Sequence, residues 1–86
     1  MATRRAVSER LEQLRRELAA SSSLSAADRE RLEQLIADVR DHNERDEHEP
    51  SLADRLQEAM SNLEEDHPRL TLAIGKVADA LAAIGI

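Results

Sequence analysis

Apolar residues recur near the start of the chain at Val7, Leu11, Leu14 and Leu18, spaced by four, three and four positions. An α-helix brings such positions onto one face, so this stretch predicts an amphipathic helix over about residues 4–20. The serines at 21–23 then break it, because serine hydroxyls compete for backbone hydrogen bonds and favour turns. Ser25 followed by Asp28 has the S-x-x-D spacing of a helix start. The helix expected over about 25–43 presents Leu32, Leu35, Ile36 and Val39 to a core. Two similar helices joined by a short serine-rich turn predict an antiparallel helical hairpin.

A polar linker over 44–50 comes next, ending at Pro50, and Ser51 with Asp54 repeats the helix-start spacing. From there the apolar seam runs through Leu52, Leu56, Ala59, Leu63, Leu70, Ala73, Val77, Ala80 and Ile84. Spacings of four and three alternate throughout once position 66, an aspartate, is counted. Pro68 removes a backbone donor and clashes with the preceding turn, so it must kink or break a helix there. Because the seam keeps its phase across Pro68, the pattern predicts one long helix over 51–84, kinked near Pro68. Gly85 suits its end.

Such a helix would be about 50 Å long at ~1.5 Å per residue, about twice the reach of either hairpin helix. Its C-terminal half is then left uncovered. Leu70, Ile74, Val77, Leu81 and Ile84 form the exposed face, with Ala73 and Ala80 small enough to admit a second helix. An apolar patch of this kind rarely stays bare, so these seven residues are the expected oligomer interface of a homodimeric helical bundle.

Composition narrows the picture. The chain has 86 residues, enough for one domain spanning 1–86, and contains no aromatic residue and no cysteine. The core must be aliphatic, and disulfides and thiolate metal sites are excluded. Many Leu, Ala, Glu and Arg with only two glycines and two prolines point to an all-α fold. The N-terminal stretch carries arginines where a secretory signal would need an apolar run. The most apolar stretch, over 70–86, is shorter than a membrane span and includes Lys76 and Asp79. The chain therefore reads as a cytoplasmic protein. The net charge of −6 is concentrated in residues 44–67, which sum to −7, while residues 1–20 sum to +2. An acidic middle disfavours nucleic acid and anionic membranes as partners.

The run RDHNERDEHEP, Arg40 to Pro50, holds two of the three histidines among acidic residues. Read as a calcium loop from Asp41, it fails: Arg45 occupies a ligand position and Asp46 replaces the glycine needed for the turn. For zinc, His42 and Asp46 share a helical spacing and His48 lies near, but Leu52 stands where H-E-x-x-H needs its second histidine. The ligand set is incomplete, so the stretch reads as a solvated connector. Asp66 and His67 beside Pro68 invite a titrating pair. The simpler role is capping, with Asp66 accepting from the N–H groups the proline leaves open. No serine or threonine has a glycine-rich turn for an oxyanion hole, and no phosphate-binding loop occurs. Arg4, Arg5, Arg15 and Arg16 fall on neighbouring lines of the first helix. Glu9, Glu12 and Glu17 interleave with them, which favours a solvated face that pairs with acidic segments over a phosphate stripe.

The second half of the chain carries His48 with Ser51 and Leu52, the pair His67 and Pro68, and the run Ala78-Asp79-Ala80-Leu81 before Gly85 and Ile86. With the opening LEQLRREL, these resemble a family of short bacterial proteins catalogued as domain of unknown function 4404. The resemblance implies a small helical protein without an assigned activity, and brings no functional residues. The expectation is a non-enzymatic structural or protein-interaction module that self-associates through its helices, requires no cofactor and engages a partner protein. The alternative is a metal-responsive binder acting through the acidic, histidine-bearing stretch 41–49.

Overall fold

The computed structural model describes residues 4–45 and 50–84, which form four α-helices: α1 (Arg4–Ala20), α2 (Ala26–Arg45), α3 (Pro50–Leu63) and α4 (Pro68–Ala83). The first two, joined by the turn 21–25, pack against each other as a helical hairpin. All eight apolar positions predicted for α1 and α2 are buried. The Ser21 N–H closes α1 on the Leu18 carbonyl at 3.2 Å, and the Ser25 hydroxyl accepts the Asp28 N–H at 3.2 Å to open α2. Leu24, in the turn between them, is also buried and covers that end of the core. No helix among the described residues is long and apolar enough to cross a membrane.

The second half departs from expectation. No continuous helix runs from 51 to 84: it breaks over residues 64–67, and α4 turns back to pack against α3. The cause is local. A residue before proline is disfavoured in the α region, and His67 sits at φ −136°, ψ 68°. Pro68 itself then occupies the first turn of α4, where its missing N–H would have had no partner in any case. The capping expected of Asp66 is not what opens this helix: its N-cap is His67, which makes no side-chain cap bond. Two boundaries also move. Helix α2 extends to Arg45 rather than fading at Asn43, and α3 begins at Pro50, placing Ser51 inside its first turn. The expected stop at Gly85 lies outside the described residues.

With the break in place, the four helices form an up-down-up-down bundle in which each touches its two sequence-cyclic neighbours. Helix α4 makes the most extensive packing, lying between α1 and α3, while α2 and α3 share the smallest interface. One aliphatic core joins all four helices. Leu70, Ala73, Ile74, Val77 and Leu81 are at most 4% exposed, and Ala80 and Ile84 pack partly buried against the same core. The surface assigned from sequence to an oligomer interface is therefore the inner face of α4 within one chain. Folding α4 back covers the apolar surface that gave the reason to expect a dimer, so that reason is gone. Leu72, 62% exposed, is the one exposed large apolar side chain among the described residues.

Gly75 lies within α4, where glycine is a poor helix former. A Cβ built there would meet only the Met60 Cε, at 3.4 Å, the end of a flexible side chain. Gly75→Ala is expected to stabilise the fold by about 0.5–1 kcal/mol through helix propensity, read as a higher urea midpoint with unchanged slope.

Candidate functional site

The acidic, histidine-bearing stretch does not act as one unit. Residues 41–45 are the last turn of α2, while Asp46 and His48 lie outside the described residues. His42 has its Nδ1 2.8 Å from the Asp38 carbonyl oxygen one turn back, so its ring is oriented by its own helix. Among the described residues no three His, Asp or Glu side chains gather where they could hold a metal ion. His67 is half-buried at the break, and its carbonyl accepts both the backbone N–H of Thr71 at 3.0 Å and its hydroxyl at 3.1 Å.

Asn43 is the one buried polar residue among the described residues, only 5% exposed. Its amide nitrogen donates to the Arg4 carbonyl at 3.0 Å and to the Ser8 hydroxyl at 3.2 Å, while its amide oxygen is buried without a partner. Arg4 returns the contact. Its Nε donates to the Asn43 carbonyl and its Nη2 to the Glu44 carbonyl, both at 2.7 Å. These are among the last carbonyls of α2, which have no partner inside the helix and carry the negative end of its dipole. At the opposite end of the hairpin, Arg29 near the start of α2 donates to the Leu18 carbonyl at 2.9 Å and to the Ser21 carbonyl at the end of α1. Each hairpin helix thus supplies an arginine that caps the C-terminus of the other.

This arrangement recasts the predicted basic stripe. Arg4 is bound to backbone carbonyls rather than to acidic side chains, and Arg15 pairs with Glu12 at 3.2 Å with both half exposed. Arg5 and Arg16 point to solvent. Asn43 escaped the sequence reading because asparagine near a helix end looks like a stop. Its place four residues beyond Val39, on the seam of Leu32, Leu35 and Ile36, was the available signal.

An ion pair crosses the narrow α2–α3 seam. The Asp38 carboxylate accepts from the Arg55 guanidinium at 2.8 Å and from the Gln34 amide at 3.0 Å. The Arg55 hydrogen bond is the main cause holding the Asp38 carboxyl below its ordinary 3.8, with burial opposing. Beyond this pair toward the start of α2, an open groove of about 760 Å³ lies between the two helices. Leu32, Leu35, Ala59 and Leu63 line its apolar part, and Glu30 and Glu58 stand among its polar wall. Arg31, also on the wall, reaches to 3.9 Å from Asp28, and Arg55 is engaged by Asp38, so the groove carries an acidic excess. The acidic turn 64–66 comes directly after Leu63.

The family described as Domain of unknown function (DUF4404) matches residues 7–86, and the chain belongs to it. No curated protein and no solved structure matches the chain.

The arginine caps should be worth about 1 kcal/mol each, since charge-assisted bonds to terminal carbonyls are strong but partly solvated here. Arg4→Ala and Arg29→Ala are expected to lower stability by that amount in urea titrations. The effects should add in the double variant, because the two sites lie at opposite ends of the hairpin.

The Asp38–Arg55 pair should impose an acid dependence. A carboxyl with a depressed folded-state pKa contributes stability above its unfolded value and loses it as pH falls through the folded value. That loss should fall below about pH 4, given the ordinary value of 3.8. The pair's side chains are 29% and 41% exposed, so its contribution is modest, below about 1 kcal/mol. Asp38→Asn should be less stable than wild type at pH 6, and the gap should narrow as pH falls below about 4 in melts by circular dichroism.

Proposed function

We propose that this member of the family is a non-enzymatic protein-interaction module that receives a basic amphipathic segment of a partner protein along the α2–α3 groove. The observation that carries this reading is the groove itself: an open concavity with a leucine and alanine floor and an acidic excess on its wall. Such a surface suits a helix that offers one or two apolar side chains to the floor and lysines or arginines to the wall. The tightly packed remainder of the bundle supports a scaffold role. Its buried polar group and two of its arginines are engaged in fixing helix ends.

A photo-crosslinking residue at Asn62, on the groove wall, tests the proposal in the native cell, with the same residue at exposed Glu9 of α1 as control. The expected outcome is a discrete adduct from position 62, absent from position 9, and reduced at least about tenfold by reversing Glu30 and Glu58 to lysine. Equal adducts from both positions, or an adduct indifferent to the charge reversal, would overturn the groove as the partner site.

A further inference from the structure

We propose that the inner face of α4 can close the bundle of a second copy of this chain as well as its own, with the turn 64–67 as hinge and Pro68 as the lock that favours the closed monomer. Little separates α3 from α4. The His67 N–H donates to the Leu63 carbonyl at 2.8 Å, and the Thr71 N–H donates to the His67 carbonyl at 3.0 Å. Both are the i to i−4 bonds of an α-helix. The helical path is interrupted by the backbone of His67 and by the N–H that Pro68 lacks.

The apolar positions agree with an uninterrupted path. Leu52, Leu56, Leu63, Leu70 and Val77 keep one helical phase through position 66. Bringing residues 64–67 into the α region would therefore fuse α3 and α4 into one rod with their core-facing residues on a single stripe. In that rod Leu70, Ala73, Ile74, Val77 and Leu81 leave their own core and stand bare, while the remaining three helices lose the helix that packs between α1 and α3.

Each half then fits the other half of a second copy. Two opened chains exchanging α4 regain every buried contact with identical residues, so the exchange costs no core packing. Asp66, the polar position on the stripe, would lie between the two bundles, where water can reach it. The hinge opposes the exchange. Proline inside a helix loses a hydrogen bond and crowds the preceding turn, and the residue before it resists the α region. The closed chain avoids both by placing Pro68 in the first turn of α4. The partner is thus a second copy of this chain, and the reading is independent of the α2–α3 groove, which the exchange leaves intact.

The test removes the lock. Pro68→Ala is expected to sediment at twice the wild-type mass of 9.6 kDa with undiminished helicity. Absence of native cysteine allows clean spin labels at Gln57→Cys and Asp79→Cys, both exposed. In the rod these positions are about 33 Å apart at ~1.5 Å per residue, whereas with α4 packed back along α3 the separation is much shorter. When the labelled Pro68→Ala protein is refolded with excess unlabelled copies, the short distance should vanish and the long one remain. A Pro68→Ala protein that stays monomeric, or a dimer that keeps the short distance after dilution, overturns the exchange. Pro68→Gln, which relieves the same constraint with a more soluble side chain, stands in if the alanine variant precipitates. Loss of helicity in both also overturns the proposal, since the exchanged dimer retains every buried contact.

Discussion

A five-membered ring that disfavours one backbone conformation in the residue before it underlies this architecture. Pro68 disfavours the α region at His67, and the chain therefore reverses over residues 64–67 instead of continuing as a rod. Everything larger depends on that reversal. Helix α4 is laid back along α3 and reaches α1, its aliphatic face enters the core, and the bundle closes on itself. Without the reversal the first three helices would lack their most extensively packed neighbour.

The core that results is aliphatic throughout, built from leucine, isoleucine, valine and alanine. Such side chains interdigitate well, but they supply few distinctive shapes by which one helix register is told from its neighbours. Polar contacts at the hairpin ends provide that discrimination. Asn43 can make its two donor bonds only where Arg4 and Ser8 stand opposite it, and each arginine reaches its carbonyls only when the helix ends are level. The α2–α3 seam, the smallest helix interface, is crossed by the Asp38–Arg55 pair and is the part that opens into a groove.

The helices themselves were legible because their signal is local. Val7, Leu11, Leu14 and Leu18 repeat at helical spacing, and every one is buried; the same holds for Leu32, Leu35, Ile36 and Val39. The break at 64–67 was not legible from phase. Two helices that return to one core both face inward, and a short turn can preserve their apparent register as well as a kink does. The restriction on His67 by Pro68 was the stronger physical clue and pointed to the break. The arginine caps were invisible for another reason. Arg4 and Asn43 are 39 positions apart and meet through a backbone carbonyl, which leaves no trace in side-chain pattern. The groove arises from unequal packing between helices, a property of the assembled bundle that no single segment encodes.

The paired arginine caps couple the lengths of α1 and α2. Adding one residue to either helix advances its end by about 1.5 Å and swings the remainder of the chain by ~100° about the helix axis, so neither guanidinium would meet its carbonyls. The hairpin behaves as a ruler read from both ends. Changes of length in one helix can persist only with a matching change in the other, and whole turns added to both at once would be accommodated most readily. Among relatives, insertions in these two helices should therefore come in pairs.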